Sequence, residues 1–309
     1  MADTIAILGA GPLALVSLRG VLARGLQARL IHRKGDFKAP SHVTVLAANL
    51  LEHEATTRAL AGCRAAIMCA QPAYHRWPEE FPPLIDALIE ACERAGCALV
   101  MGDNLYVYAD AAQTLAEDTP WTATTRKGRA RIEVDRRLLA AHAAGRVPTA
   151  IGRGSDFFGP GVRDSVVGSM LFGPLVRGKR VNGIGNLDVP HSTTFIDDFG
   201  AALAELAVTP AAWGEAWHVP NAPAVTTRQF IELSCAAAGR APRIGSIGRR
   251  TMRMAGLFSK GAYETVEMMG HFEQPYVVDD TKWRARMQTH ATPLEQSIAA
   301  TVRWYQARG

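Results

Sequence analysis

Cysteine is scarce in this chain of 309 residues, and its five cysteines form no Cys-x-x-Cys pair and no even set. Four of them fall in one half of the chain: Cys63, Cys69, Cys92 and Cys97. Disulfide-stapled secreted domains and zinc sites both rely on paired cysteines at short spacings, so the pattern argues against both. We expect reduced thiols, no metal ion and a cytoplasmic location.

Long apolar runs and strong charge are also absent. No run approaches the roughly 20 residues that a membrane-spanning helix needs. Met1-Ala2-Asp3 leads directly into an apolar segment, without the basic stretch of a secretory signal. The formal net charge is only +5, from 34 Lys and Arg against 29 Asp and Glu. We therefore expect a protein that binds a small-molecule substrate and neither a membrane nor nucleic acid, as a monomer or a homodimer.

The apolar pattern of the first half is typical of an α/β protein. Hydrophobic residues make up 48% of the chain, enough to bury a core. Short β-rich segments alternate there with segments of helical spacing. We predict strands at 4–8, 28–32, 43–46, 65–69, 98–101 and 149–153, and helices at 13–24, 56–60, 81–94 and 126–144. This order predicts a Rossmann-type, doubly wound parallel sheet with helices on both faces.

The second half is organised differently, because the alternation loosens after Phe157 and Gly and Pro become denser. We expect residues 1–153 to form a dinucleotide-binding domain and residues 154–309 to form mainly a smaller substrate-binding lobe. No clean linker separates the two, so the lobe is expected to be interleaved, with a segment at about 190–220 returning to the core. Within this half we predict a strand at 217–219 and a helix at 228–238.

A glycine turn follows the first predicted strand. Gly9-x-Gly11-x-x-Ala14 lies between an apolar strand and a helix. The first glycine permits a tight turn, the second lets the backbone approach a pyrophosphate, and the helix N-terminus then faces the anion. Any tight strand-to-helix turn is the alternative, but the flanking elements favour a dinucleotide. The cofactor-binding residues predicted here are Gly9, Gly11, Pro12 and Leu13.

The end of the second strand should select between the two nicotinamide dinucleotides. An NAD site usually has an acidic residue there, which accepts hydrogen bonds from the ribose hydroxyls. This chain instead has His32, Arg33 and Lys34, with no acid before Asp36. Cations pair with a 2′-phosphate, so we predict NADP(H), with NAD(H) less favoured. The alternative is that both cations are solvated charges on a loop.

Several short segments follow in a recognisable order. They are Asn49-Leu50, Ile67-Met68-Cys69-Ala70, Arg-Gly-Ser-Asp-Phe-Phe-Gly-Pro at 153–160, Ile-Asp-Asp-Phe-Gly at 196–200 and Trp-His-Val-Pro at 217–220. Their order and spacing resemble those of the extended short-chain dehydrogenase/reductases, the NAD-dependent epimerase/dehydratase family, over nearly the whole chain. The resemblance implies cofactor contacts by Asn49, Leu50, Ala70 and Gln71.

The chain departs from that family at the catalytic residues. The family's Tyr-x-x-x-Lys pair aligns with Lys127 and Arg131, and its catalytic Ser or Thr aligns with Asn104. The resemblance therefore implies an atypical member. Arg131, one helical turn from Lys127, can still hold the ribose hydroxyls but cannot exchange a proton near neutral pH.

Other groups can take over the role of the missing tyrosine. Lys127 can act as an acid if burial lowers its pKa, although a solvated helix start is the alternative. Asn104 can donate a hydrogen bond to a carbonyl oxygen. Tyr106 faces the same side as Asn104 if the strand continues through both, and a packed aromatic is its alternative role. A carbonyl bonded to a hydroxyl of its own molecule would need no protein acid.

Substrate contacts are expected after the fourth strand and near residue 156. The segment 71–77 follows that strand, and the carboxyl ends of parallel strands lie beside the cofactor cleft. Tyr74 and His75 are therefore predicted substrate-binding residues, with an ordinary surface loop as the alternative. Asp156 stands where the family's Asn contacts a sugar nucleotide's diphosphate, and a carboxylate there repels that group.

Together these residues predict an NADP(H)-dependent ketoreductase, which moves hydride between nicotinamide and a carbonyl or alcohol with a weak or substrate-assisted proton donor. One alternative is a nucleotide-sugar epimerase or dehydratase, the commonest activity in the family. Another is a non-catalytic NADP(H)-binding sensor, for which the loss of the Tyr and Lys pair is also expected.

Overall fold

The computed structural model of the chain describes residues 4–108 and 114–308. Its strands are β1 (Thr4–Leu8), β2 (Gln27–His32), β3 (Thr44–Ala47), β4 (Ala65–Met68), β5 (Ala98–Asn104), β6 (Thr114–Leu115), β7 (Thr149–Gly154), β8 (Asp156–Phe158), β9 (Val181–Ile184), β10 (Pro190–His191), β11 (Thr193–Phe195), β12 (Ala216–His218), β13 (Val225–Thr226), β14 (Ile244–Ile247) and β15 (Val277–Val278). Its α-helices are α1 (Pro12–Ala23), α2 (His53–Leu60), α3 (Trp77–Ala95), α4 (Arg126–Ala143), α5 (Ser169–Val176), α6 (Ile196–Leu206), α7 (Thr227–Ala237), α8 (Arg249–Gly256), α9 (Lys260–Val266), α10 (Thr281–Arg286) and α11 (Leu294–Gln306).

A parallel sheet forms the centre of the molecule. Within the described residues it has seven strands in the order β12-β7-β5-β4-β1-β2-β3. The strand order reverses at β1, which pairs with β2 on one side and with β4 on the other. The carboxyl ends of all seven strands therefore meet at one edge, with a crevice between β1 and β4 where open α/β sheets bind ligands. The predicted doubly wound Rossmann-type α/β fold is confirmed.

Helices cover both faces of this sheet because its strands are apolar on both sides. On one face, α3 and α4 bury residues such as Phe81, Leu88 and Leu138 against the sheet. On the other face, α1 and α6 bury residues such as Leu18 and Leu203. Strands that are covered on both faces explain the continuous apolar runs of the sequence.

The helices α1 and α6 cross at an unusually short separation. A Cβ atom on Gly200 of α6 would lie 2.5 Å from the carbonyl carbon of Val16 in α1. A Cβ atom on Gly20 of α1 would lie 3.0 Å from the carbonyl oxygen of Gly200. Both positions need glycine for this contact. Because α6 follows residue 154, the second half of the chain supplies one of the two helices that cover this face.

The remaining elements of the second half form a separate apolar cluster. Phe158, Phe172 and Phe230 pack against one another, with Tyr305 of α11 stacked on Phe172 at a centroid distance of 5.3 Å. The strand β12 does not belong to this cluster, because it lies in the central sheet beside β7. None of the helices in the two described ranges is long and apolar enough to cross a membrane.

Three predicted elements are three or more residues longer than predicted, and the helix predicted at 56–60 is one of them, since it begins at His53. The helix expected to begin at residue 81 begins at Trp77, because Pro78 occupies its first turn, where a missing N–H costs no hydrogen bond. The strand expected to end at residue 101 continues to Asn104, where the Asn104 side-chain oxygen accepts a hydrogen bond from the backbone N–H of Tyr106. Tyr106 therefore lies in a turn beyond the strand, so the assumption that it shares a strand face with Asn104 was wrong.

The crossing of α1 and α6 gives a stability prediction. Gly200→Ala should lower the free energy of unfolding by about 1–3 kcal/mol, because the added methyl group cannot fit against α1. Gly173→Ala is the matched control, since that helical glycine has only the flexible Arg177 side chain nearby, 3.7 Å away. The control should be neutral or stabilising by up to about 1 kcal/mol in the same urea titration. Equal effects of the two substitutions would contradict the close crossing.

Candidate active site at the carboxyl edge of the sheet

The glycine turn lies at the crevice between β1 and β4. Gly9 has a φ of +120°, and a Cβ atom there would lie 3.1 Å from the backbone nitrogen of Ala70. Gly11 precedes α1, and no atom lies within 4 Å of the place where its Cβ would be. No side chain caps α1, so its N-terminal N–H groups are available to an anion. The turn therefore fits the pyrophosphate of a dinucleotide.

The two residues after Gly11 differ in what they offer to a ligand. Pro12 is exposed at the first position of α1. The Leu13 side chain packs over the sheet, since its Cδ2 lies 2.8 Å from where a Cβ of Gly102 would be. Leu13 can therefore meet a phosphate only through its backbone.

The end of β2 is basic and open. Arg33 and Lys34 are exposed, and neither has a hydrogen bond or ion pair with any residue of the described ranges. His32 is half-buried, with its Nε2 atom 3.9 Å from the carboxylate of Asp36. Two unpaired cations therefore follow β2, and the exposed Asp36 lies two residues beyond Lys34.

Asn49 and Leu50, the cofactor contacts that the resemblance implies after β3, take local structural roles. The exposed Asn49 stabilises the turn that precedes α2, because its side chain donates to Glu52 and accepts from the N–H of Leu51. Leu50 is 8% exposed and packs in the core beneath α3. Asn49 can still reach a ligand, whereas little of Leu50 is available to one.

Arg131 is held in place by residues of three other segments. Its guanidinium lies 2.7 Å from the carboxylate of Asp103 at the end of β5. It also donates to the side-chain oxygen of Gln71, at 3.1 Å, and lies 4.0 Å from the ring centroid of Trp77. The Arg131 side chain is only 3% exposed. Its charge is balanced within the protein, and the contact ties Gln71, next to Ala70, to helix α4.

Lys127 is also buried and fully paired. Its Nζ atom lies 2.5 Å from the carboxylate of Glu264 and 2.7 Å from that of Glu267, both contributed by the α9 segment. The Lys127 side chain is 2% exposed, so it is not a solvated helix start. The same Nζ lies 4.4 Å from the ring centroid of Tyr74. Two carboxylates against one ammonium leave a surplus negative charge beside this ring.

Two tyrosines meet in front of Lys127. The hydroxyl of Tyr74 donates to the hydroxyl oxygen of Tyr106 at 3.4 Å. The Tyr106 ring stacks on His271 at a centroid distance of 5.7 Å. The structure thus brings together Tyr74, Tyr106, Asn104 and Lys127, all named from the sequence. His75 lies on the same turn as Tyr74, partly exposed.

Both phenols keep their protons at neutral pH. Burial raises the pKa of Tyr106 above its usual value, and the nearby Asp156 carboxylate raises it further. Burial likewise raises the pKa of Tyr74, with Tyr106, Asp156 and Glu267 adding to the effect. Because Lys127 is paired with two carboxylates, its charge does not overcome these effects. At neutral pH each phenol therefore carries a proton that it can donate, and burial opposes formation of the phenolate.

A buried charged network supports the ends of β5 and β7. Arg153 of β7 is fully buried, with its guanidinium 2.5 Å from Asp135 of α4 and 2.9 Å from the hydroxyl of Tyr108. That hydroxyl lies 2.8 Å from His218 Nε2. Burial and the neighbouring Asp103 raise the pKa of Asp135, and burial lowers the pKa of His218 to about 4. The network joins α4, β7 and β12 behind the tyrosines.

Asp156 has a partner that the sequence did not reveal. Its carboxylate lies 2.8 Å from Nε2 of His191, which is 6% exposed. The other unforeseen residues are His271, Glu264 and Glu267. The two glutamates lie three residues apart and so share a helix face, a spacing that indicates a common cationic partner. Among the described residues, no group of three His, Cys, Asp or Glu side chains is arranged to hold a metal ion.

Comparison with known families decides the relationship. The model of the NAD dependent epimerase/dehydratase family matches residues 14–218, from the first turn of α1 to the last residue of β12. This match spans well over half of the chain. The chain belongs to the NAD dependent epimerase/dehydratase family. The resemblance inferred from the sequence motifs is confirmed.

Solved structures of similar proteins share the whole fold. PA4631, a nucleoside-diphosphate-sugar epimerase from Pseudomonas aeruginosa, is 15% identical at a TM-score of 0.79, covering 100% of this chain and 99% of that chain. The UDP-glucose 4-epimerase of Thermus thermophilus, in complex with NAD, is 18% identical at a TM-score of 0.77, covering 99% and 100%. DesIV, a dTDP-glucose 4,6-dehydratase from Streptomyces venezuelae, is 15% identical at a TM-score of 0.78, covering 99% and 97%. No curated protein sequence matches the chain significantly.

The pairing of Lys127 gives a second stability prediction. Lys127→Met should lower the free energy of unfolding by about 3 kcal/mol, because it leaves Glu264 and Glu267 together without their counter-charge. Arg228→Met is the control, since its pair with Asp188 is exposed and should contribute at most about 1 kcal/mol. Thermal and urea unfolding measure both variants. A loss for Lys127→Met no larger than the control's would show that Lys127 is not held by the glutamates.

Proposed function

We propose that the protein is an NADP(H)-dependent carbonyl reductase in which Tyr106 donates the proton. The observation that carries the proposal is the hydrogen bond between two phenols, Tyr74 and Tyr106, beside Lys127, the residue that aligns with the family's tyrosine. Reduction of a carbonyl needs one hydride and one proton, and the product is an alcohol. When bound, the nicotinamide supplies the hydride.

Tyr106 is suited to give that proton because its own oxygen already accepts a hydrogen bond from Tyr74. The Tyr106 proton has no acceptor among the described residues, so it can be directed to a substrate oxygen. As the proton leaves, the Tyr74 hydroxyl stabilises the phenolate and can replace the proton in turn. Asn104 positions Tyr106 by bonding its backbone N–H at 2.9 Å.

The same geometry leaves the resting site in the protonation state that reduction needs. Oxidation of an alcohol needs a group that removes the hydroxyl proton, and both phenols have raised pKa values. Lys127 is paired with Glu264 and Glu267, and Arg131 with Asp103, so neither cation is free to stabilise a phenolate base. Oxidation would first have to form a phenolate against these effects, whereas reduction starts from the protonated phenol, and this supports a reductase.

A nucleotide-sugar epimerase or dehydratase is the second candidate. It is favoured by family membership and by similarity to PA4631, DesIV and the Thermus thermophilus epimerase, whose names describe such activities. That chemistry begins by oxidising a sugar hydroxyl, which requires the base that the tyrosine pair does not provide. The geometry around Tyr106 therefore supports carbonyl reduction over this alternative.

A direct test separates the two reactions. The protein is incubated with NADPH and a series of small ketones and aldehydes, and separately with UDP-glucose or dTDP-glucose and NAD. NADPH oxidation with alcohol formation is expected in the first set, with no sugar product in the second. Tyr106→Phe should lower kcat by about a hundred-fold or more with little change in KM, since it removes the proton donor. Tyr74→Phe, the matched control, should cost less because it removes only the supporting hydrogen bond.

Conversion of UDP-glucose or dTDP-glucose, or full turnover by Tyr106→Phe, would contradict the proposal. Cofactor binding without turnover of any carbonyl would point to the sensor role.

The preference for NADP(H) is proposed from Arg33 and Lys34. Charge-assisted bonds to a phosphate contribute about 1.5–3 kcal/mol each, so the Arg33→Ala/Lys34→Ala variant should bind NADPH at least about ten-fold more weakly than the unmodified protein. Its affinity for NADH, which lacks the 2′-phosphate, should hardly change. Lys38→Ala, an exposed lysine further along the loop, is the control. Calorimetry measures the affinities, and equal affinity of the unmodified protein for NADH and NADPH would contradict the preference.

A further inference from the structure

A second pocket lies in the lobe formed by the second half of the chain. Its cavity volume is about 30 Å³, and the cavity continues into an open mouth. Most of its wall is apolar and comes from four different segments: Val167, Leu171, Ile184, Phe230 and Phe272. Such a wall favours an apolar group of a ligand, because burying that group removes it from water.

The polar part of this pocket carries a single charge. Asp156 is the one ionisable residue besides His191 in the lining, which contains neither lysine nor arginine. The Oδ2 atom of Asp156 is bonded to Nε2 of His191 at 2.8 Å, and the His191 ring is stacked between Phe272 and Tyr276. The other carboxylate oxygen, Oδ1, has no partner among the described residues and remains available to accept a hydrogen bond.

The pocket is adjacent to the proposed proton donor. Asp156 lies close enough to Tyr74 and Tyr106 to raise the pKa of both hydroxyls. A row of rings in contact also leads from His191 through Tyr276 and His271 to Tyr106, with centroid separations of 5.2, 5.0 and 5.7 Å. Asp156 therefore lines the pocket and also lies near both phenols.

We infer that this pocket binds the body of the substrate, and that the substrate is an apolar molecule bearing a hydroxyl or amino group that donates to Asp156, not a nucleotide diphosphate. The inference rests on the proposed function, because it names the substrate class of that reaction. A diphosphate needs cationic partners, and the lining supplies none. The negative charge on Asp156 would repel it at close range.

Three small probes with the same apolar body and different charges test the inference without any turnover. They are benzyl alcohol, benzylamine and benzoate, titrated into the full-length protein by calorimetry beside UDP. Benzyl alcohol and benzylamine should bind with roughly millimolar dissociation constants, as expected of ligands of this size. Benzoate should bind at least about ten-fold more weakly because its carboxylate meets that of Asp156. UDP should show no binding.

Asp156→Asn, which keeps the size and removes the charge, should reduce the difference between benzoate and benzyl alcohol to about two-fold or less. Asp164→Asn removes an exposed carboxylate outside the pocket and should leave the difference unchanged. Val166→Trp, which places a large ring in the pocket from a partly exposed position, should abolish binding of benzyl alcohol. If Val166→Trp does not fold, the ratio of benzoate to benzyl alcohol affinity in Asp156→Asn still tests the inference.

Binding of UDP, equal affinity for benzoate and benzyl alcohol, or no binding of either neutral or cationic probe would overturn the inference. None of these results depends on the nicotinamide cofactor or on hydride transfer. If these titrations fail, only the substrate class is wrong, and carbonyl reduction can still be correct. If the turnover assay fails, the titrations still decide which ligands the pocket selects.

Discussion

The architecture of the site depends on buried arginine–aspartate pairing at the carboxyl ends of β5 and β7. Asp103 lies between Arg131 and Arg153, and Arg153 in turn pairs with Asp135. All four side chains are almost fully removed from water, so each charge requires its partner. This pairing locks helix α4 onto the sheet edge, and α4 carries the residues that replace the family's catalytic pair.

The replacement changes the chemistry of the site more than its shape. In an ordinary member of the family a lysine next to a tyrosine lowers the phenol's pKa. Here Lys127 is paired with Glu264 and Glu267, and the phenols lie in surroundings with surplus negative charge. The phenols therefore stay protonated at rest, as reduction requires. Two exchanged residues, together with two glutamates from a distant segment, thus account for the proposed protonation state of the site.

The sequence predicted the parts of this structure that depend on neighbouring residues. The alternation of apolar strands and helices revealed the Rossmann-type sheet, and the glycine turn lies where its spacing indicated. The burial and pairing of Lys127 could not be predicted in this way, because its two partners are 137 and 140 residues away. The end of β5 could have been predicted, since the side chain of an Asn at the end of a strand often accepts a hydrogen bond from the backbone N–H two residues later. The His191–Asp156 pair depends on two segments that meet only in the folded chain.

The close crossing of α1 and α6 also has a consequence for how the protein is made. The sheet face beneath α1 stays partly uncovered until α6 has left the ribosome, because α6 completes the covering of strands made much earlier. Roughly two thirds of the polypeptide must therefore be synthesised before the core on this face can close. During that interval this apolar face of the early strands is exposed, and a chaperone that holds nascent chains would find its binding surface there.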